Sequence, residues 1–247
     1  PPWKYSRKLQ NVFRNVCEWR MDLLPTIYSY ANTSYKNGVM MKPLAYVFPE
    51  DANTYDIWDE YIFCNAFLVA PLFTEGNSRE IYLPEGRWFE FNNLNSEYTG
   101  PVTITEVRSH ESIPVFVKMN SIYVTGDIYR GNSKIWKNDL KDNGEITIYL
   151  FPGQMNDKTT FTYVDYFDQD KEKNLSLEHR SGQIVFQSDP VMTKSCLKIK
   201  CRIKPDKVIL NNEPMEIDFI KRKKILKVLI SENQPVDLKI VCSAPSN

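Results

Sequence analysis

Along the first 36 residues, apolar side chains recur at Leu9, Val12, Phe13, Val16, Leu23, Leu24, Ile27, Tyr28, Ala31 and Tyr35. That i, i+3, i+4 spacing predicts helix over 4–36 with one buried stripe. Pro25 lacks a backbone donor and predicts a kink or a division. Asn37-Gly38 predicts the stop. Val39 to Phe48 then reads as strand, closed by Pro49. Over 51–62, Ile57, Trp58, Tyr61 and Ile62 alternate with Asp51, Asp56, Asp59 and Glu60, which predicts a short amphipathic helix.

After residue 66 the period changes from helical to two. Strand-like runs at 67–70, 79–83, 87–91, 102–107, 113–118 and 121–124 predict a small β-sandwich, with Pro84-Glu85-Gly86 as a turn. The polar segment 126–144, rich in Gly and Asn, predicts a domain boundary. Runs at 145–150, 159–166, 183–187, 195–203, 206–210, 225–230 and 236–242 predict a second sandwich. In it Leu197, Ile199, Cys201 and Ile203 share one face, and Lys198, Lys200, Arg202 and Lys204 the other. Helix, Gly stop and strand at the start make an αβ unit that cannot close a sheet alone, so the chain is expected to begin partway through an α/β domain. No repeat of 20–50 residues is visible.

At 247 residues and 42% hydrophobic, the chain can build a packed core. The balance of 31 basic and 31 acidic residues argues against a nucleic-acid partner. No apolar run approaches the ~18 residues of a membrane span. The five cysteines, Cys17, Cys64, Cys196, Cys201 and Cys242, form no redox or metal motif and are expected to be free buried thiols. The chain opens Pro1-Pro2-Trp3 without an initiator methionine, so no targeting reading is made and localisation is left unknown.

Few residues suggest chemistry. The acids over 51–60 read as a solvated helix face near a favourable dipole end, against a calcium or catalytic cluster, because the EF-hand pattern is absent. Lys221 to Lys224 reads as a hairpin turn with solvated charges, against an anion site. His110 and His179 read as surface residues. Tyr98, Tyr123, Tyr129 and Trp136 are candidate sugar-stacking rings if exposed.

Five motifs in order carry a resemblance. They are Arg20-Met-Asp-Leu23-Leu24-Pro25-Thr-Ile27-Tyr28; Gly38-Val-Met-Met-Lys42-Pro43-Leu44; Tyr61-Ile-Phe63-Cys64-Asn-Ala-Phe67-Leu68-Val69-Ala70-Pro71; Tyr82-Leu83-Pro84-Glu-Gly86-Arg-Trp88; and Ile113-Pro114-Val115-Phe116-Val117-Lys118. Together they resemble the C-terminal part of glycoside hydrolase family 31, which holds α-glucosidases, α-xylosidases and related transglycosylases. The chain departs from the family at Lys42 and Lys118, where arginine is usual, and at Cys64 and Asn120, where glycine is usual.

The resemblance implies an α+β, mainly β chain: the last αβ unit of a (β/α)₈ barrel followed by two C-terminal antiparallel β-sandwich domains. The expected division is 1–62 for the barrel end, 63–125 for the proximal sandwich and 126–247 for the distal one. The parent would be a retaining α-glycosidase working through two carboxyls at strand ends. In the family those carboxyls, and the histidine and tryptophans that hold the sugar, lie on earlier strands. No catalytic, cofactor-binding or metal-ligating residue is therefore assigned, no cofactor is expected, and the chain alone is predicted inactive. Its expected partner is the N-terminal barrel of the same protein, with oligosaccharide reached through that parent and neither nucleic acid nor membrane. Asp165, Asp168 and Asp170 resemble the acidic strand-end turn of the distal sandwich, where a calcium role stays open. The alternatives are a carbohydrate-binding β-sandwich module and a subunit that completes a barrel with another chain.

Overall fold

A computed structural model describes residues 2–73, 76, 78–107, 112–126 and 145–242. The expected boundary segment therefore lies almost wholly outside the described residues, as do His110, Tyr129 and Trp136. The fold is mainly β, with three sheets and few helices. The chain divides into two compact units, residues 1–20 with 38–119, and residues 21–37 with 120–247.

The predicted long helix is two helices, α1 (Arg7–Asp22) and α2 (Leu24–Asn37). Pro25 sits in the first turn of α2, where its missing donor has no partner to lose. Gly38, at φ +77°, ends α2 in the left-handed conformation.

The first unit holds one six-stranded sheet, built from β1 (Met41–Pro43), β2 (Tyr61–Phe63), β3 (Phe67–Val69), β4 (Ser78–Glu90), β5 (Asn93–Val107) and β6 (Val115–Lys118) in the order β1-β2-β3-β6-β4-β5. The expected strand over 39–48 is shorter than its apolar run. After Pro43 the chain turns into α3 (Leu44–Val47), closed by Phe48 N–H donating to Leu44 O at 2.8 Å. Leu44, Val47 and Phe48 are spaced i, i+3, i+4 and face the core cluster of Ile62, Leu68, Ile81, Leu83, Trp88 and Phe116.

The two runs expected on either side of Pro84-Glu85-Gly86 are one strand. The tripeptide is an irregularity in β4 rather than a turn, and the ladder with β5 resumes at Gly86 opposite Gly100. Gly86 takes φ +127°, and a Cβ on Gly100 would lie 2.0 Å from the Pro84 carbonyl oxygen. That carbonyl accepts instead from the Trp88 indole N–H at 2.8 Å, and Trp88 is fully buried. The spacing Pro-x-Gly-x-Trp thus bends the strand and supplies the donor that satisfies the bend.

The second unit holds two sheets. One uses β7 (Ser121–Gly126), β8 (Ile146–Phe151), β12 (Ser195–Lys200), β15 (Asp218–Ile220) and β16 (Ile225–Ile230), ordered β15-β16-β12-β8-β7, with β12 and β8 parallel. The other uses β9 (Lys158–Asp165), β10 (Lys171–Arg180), β11 (Gln183–Ser188), β13 (Lys207–Leu210), β14 (Glu213–Pro214) and β17 (Val236–Val241), ordered β14-β13-β17-β11-β10-β9. β7, grouped by its spacing with the first strands, pairs with β8. β10 has no counterpart among the predicted runs, because only Leu175 and Leu177 are buried along its ten residues. Pairing with β9 and β11 on both sides makes it a strand. The run 195–203 leaves strand geometry after Lys200, since its partner β16 starts at Ile225. Ile203 is consequently exposed.

The expected buried stripe of the second helix is displaced. Ala31 and Tyr35 face solvent, while Leu23, Thr26, Ser29, Tyr30 and Thr33 are buried. The polar members of this face close sheet edges. Thr26 Oγ1 donates to Val124 O at 2.7 Å and accepts from Val124 N–H at 2.8 Å, on edge strand β7. Ser29 Oγ accepts from Val164 N–H at 3.0 Å, on edge strand β9, and donates to Pro25 O at 2.7 Å. Helix α2 thus satisfies edge groups of both sheets through side-chain hydroxyls. Of the cysteines, Cys64, Cys196 and Cys201 are buried, but Cys17 is exposed and Cys242 half-buried, and all five are free.

Replacing Thr26 with Val keeps the shape and strands both Val124 groups, so it should cost about 2–4 kcal/mol in urea unfolding. Thr26→Ser keeps the hydroxyl and should cost under about 1.5 kcal/mol. A Val variant as stable as the Ser variant would sink this account of the helix.

Candidate functional site

The acids over 51–60 do not form a solvated helix face. The segment makes one 3-10 turn, Ala52–Thr54, then bends into β2. Asp51 caps the turn, accepting from Asn53 N–H at 3.1 Å, and its other oxygen accepts from the Tyr82 hydroxyl at 2.7 Å. The Tyr82 bond holds the Asp51 carboxyl below the usual carboxylate range.

Glu60 is 3% exposed. Its Oε1 accepts from Arg79 Nη2 at 3.1 Å and from Tyr82 N–H at 3.0 Å, and its Oε2 is buried without a hydrogen-bond partner. Burial pushes the carboxyl up to about 7, against the pull of the Tyr82 amide and Arg79. Arg79 Nη2 also lies 3.2 Å from Asp59 Oδ2, and its Nη1 donates to the carbonyls of Asp59 and Pro71. One guanidinium therefore ties residues 59–60 to residue 71, a fork that lysine could not supply.

This tie places two rings together. Trp58 precedes Asp59, and Phe73 follows Pro71 by two residues. Their ring centroids are 6.0 Å apart with planes 24° from parallel. They are 81% and 64% exposed. Sequence reasoning set Trp58 on the buried side of a helix and did not single out Phe73. The usable signal was the setting of Trp58 between Asp56 and Asp59, outside any apolar repeat once no helix forms.

The aromatic residues named in advance do something else. Tyr98 is half-buried and packs edge-on against Phe116 at 5.6 Å, while Tyr123 is buried and stacks on Tyr149 at 4.6 Å. In the second unit, Asp165 is fully buried and accepts from Phe167 N–H at 3.1 Å and Met192 N–H at 2.8 Å. Asp168 pairs with Lys171 and Lys173, and Asp170 accepts from the Tyr28 hydroxyl at 2.9 Å. Each carboxylate has its own partners. Among the described residues no group of three His, Cys, Asp or Glu comes together as a metal cluster. His179 is half-buried, with Nδ1 3.0 Å from Gly153 O. Lys221 to Lys224 forms the exposed turn between β15 and β16, with Lys224 at φ +53°.

A second surface stands out on α1. None of its residues is buried, and Leu9, Phe13 and Val16, at i, i+4 and i+7, are exposed.

Residues 37–123 match the family model described as glycosyl hydrolase family 31 C-terminal domain. An isomaltosyltransferase from Sporosarcina globispora is 38% identical over 112 residues, which are 44% of this chain and 10% of that protein. Residues 37–123 are those of a glycosyl hydrolase family 31 C-terminal domain. Alpha-glucosidase 2 from Bacillus thermoamyloliquefaciens is 28% identical over 137 residues, 52% of this chain and 16% of that protein. The chain thus spans between 10% and 16% of the length of these two relatives. The family 31 dextranase of Flavobacterium johnsoniae, solved as a D412A mutant with isomaltotriose, superposes with a TM-score of 0.83 at 23% identity. That match covers 98% of this chain and 34% of the dextranase and establishes the fold. Cys64 and Asn120, where the resemblance implies glycine, sit at φ +50° and +59°, in the left-handed region that favours it.

The Glu60 carboxyl, at about 7 when folded and about 4.5 otherwise, keeps its proton in the native state while the unfolded chain has lost it. Stability should therefore fall as pH rises through that window and level off above it. Melting temperatures of the wild type should drop relative to Glu60→Gln between pH 4.5 and 7. Parallel profiles would show that Glu60 ionises normally.

Proposed function

We propose that this chain is the C-terminal, non-catalytic portion of a retaining α-glycosidase that hydrolyses α-linked glucosides or xylosides. In this reading the start of the chain ends a (β/α)₈ barrel, and two β domains, a proximal one up to residue 119 and a distal one from residue 120 onward, brace the barrel and shape the rim of its site. The partner is the N-terminal barrel of the same protein, which supplies both catalytic carboxyls and meets the oligosaccharide.

The observation that carries this reading is the uncovered face of α1. A helix with an apolar stripe and no buried residue is stable when the stripe is packed on something. Strand β1 lies at the end of its sheet with Met41 exposed, a second apolar element with an open side. A family 31 barrel offers parallel strands and outer helices at this place. Six acids of the described residues support the same conclusion: Asp51, Asp59, Glu60, Asp165, Asp168 and Asp170 are each engaged in structural bonds.

The purified chain should release no aryl alcohol from an aryl α-glucoside or α-xyloside, and turnover at the rate of a complete glycosidase would overturn the non-catalytic assignment. For the bracing role, Leu9→Ser with Phe13→Ser should lower self-association of the chain in sedimentation without changing its melting temperature. A wild-type chain that stays monomeric, or a variant that unfolds, would argue that the α1 face needs no partner.

A further inference from the structure

The ring pair of the first unit has no part in the core and none in the bracing surface of α1. Trp58 and Phe73 come from two different connecting segments, before β2 and after β3. Both segments are held by Arg79, which is itself 10% exposed and bonded to Asp59, Glu60 and Pro71. An exposed ring forgoes the gain of leaving water. Here the segments are fixed by buried polar bonds, and the rings are fixed outward with them.

We propose that the Trp58 indole, backed by Phe73, is a stacking platform for a neutral pyranose of an oligosaccharide. A flat aromatic face matches the C–H face of a pyranose. The acids flanking Trp58 in the chain are Asp59, held by Arg79, and Asp56, and a carboxylate such as Asp56 accepts hydrogen bonds from sugar hydroxyls and repels phosphate and other anions. The cation beside them, Arg79, is already bonded to Asp59 and Glu60. The centre of a protein–protein contact is instead poor in acids, so this polarity fits a polyol better than a protein partner. A single platform gives weak binding, with a dissociation constant in the millimolar range, suited to holding a long substrate near a site rather than to selecting it. The choice of an α-glucan as ligand rests on the glycosidase reading; the platform itself does not.

The test is a titration of the chain with maltotriose and, separately, isomaltotriose, followed by the indole N–H resonances in NMR. The Trp58 resonance should shift and saturate at millimolar sugar. Trp58→Ala should abolish saturable binding, Phe73→Ala should weaken it about threefold or more, and Trp3→Ala, an exposed ring outside the pair, should leave it unchanged. Both ring variants should keep the wild-type melting temperature, since neither side chain is buried. A Trp58 resonance silent to maltotriose, isomaltotriose and xylotriose alike, equal affinity in Trp58→Ala, or tighter binding of glucose 6-phosphate than of glucose would each overturn the platform. Those outcomes are independent of turnover, which tests the glycosidase reading alone. Binding of xylotriose with no response to either glucan would keep a platform but overturn the ligand named for it.

Discussion

The second unit depends on a helix doing the work of two strands. Its sheets end at β7 and β9, and each edge would leave backbone donors and acceptors facing a dry interior. Thr26 and Ser29, buried on α2, meet those edges with hydroxyls that can donate and accept at once. A hydroxyl at each place satisfies the edge, whereas an aliphatic side chain of equal size would leave it short by about 1–3 kcal/mol per group. The pairing of Lys36 with Glu172 on β10 continues the contact along the helix. Residues 21–37 thereby belong to the same compact unit as residues 120–247, more than eighty residues downstream.

The first unit is organised on a similar rule with a different group. Arg79 collects the Asp59 and Glu60 carboxylates and the Pro71 carbonyl, so two loops become one rigid piece. Glu60 carries the strain of this arrangement. One oxygen has two donors, the other is buried without any, and burial outweighs the guanidinium in setting its proton affinity. The ring pair is a by-product of that fixation, and it is this that makes it available to a ligand.

The five motifs describe how strands bend, how an edge is entered and how a core is filled. Pro84, Gly86 and Trp88 form a strand bend with its own donor; Cys64 and Asn120 hold left-handed turns; Ile113 to Lys118 leads into a central strand. Each of these is a structural part rather than a reacting group.

The sequence by itself determined the elements whose signal is local: the Gly38 stop, the alternation of β12, the left-handed Asn120, the Lys221–Lys224 turn and the ordered motifs of the family. It determined that the chain after residue 66 is strand, since burial on one side imposes the period directly, but not β1 and β2, which precede that point. Tertiary structure alone decided the rest. β10 is a strand because β9 and β11 flank it, not because its ten residues look apolar. The buried face of α2 is polar because what it meets is backbone, so an apolar stripe was the wrong thing to look for. The acids over 51–60 became bonds to Tyr82 and Arg79, some twenty to thirty residues away, and no local pattern encodes a partner at that distance. Trp58 faces water because those bonds hold its neighbours, and only the folded chain brings Phe73 beside it.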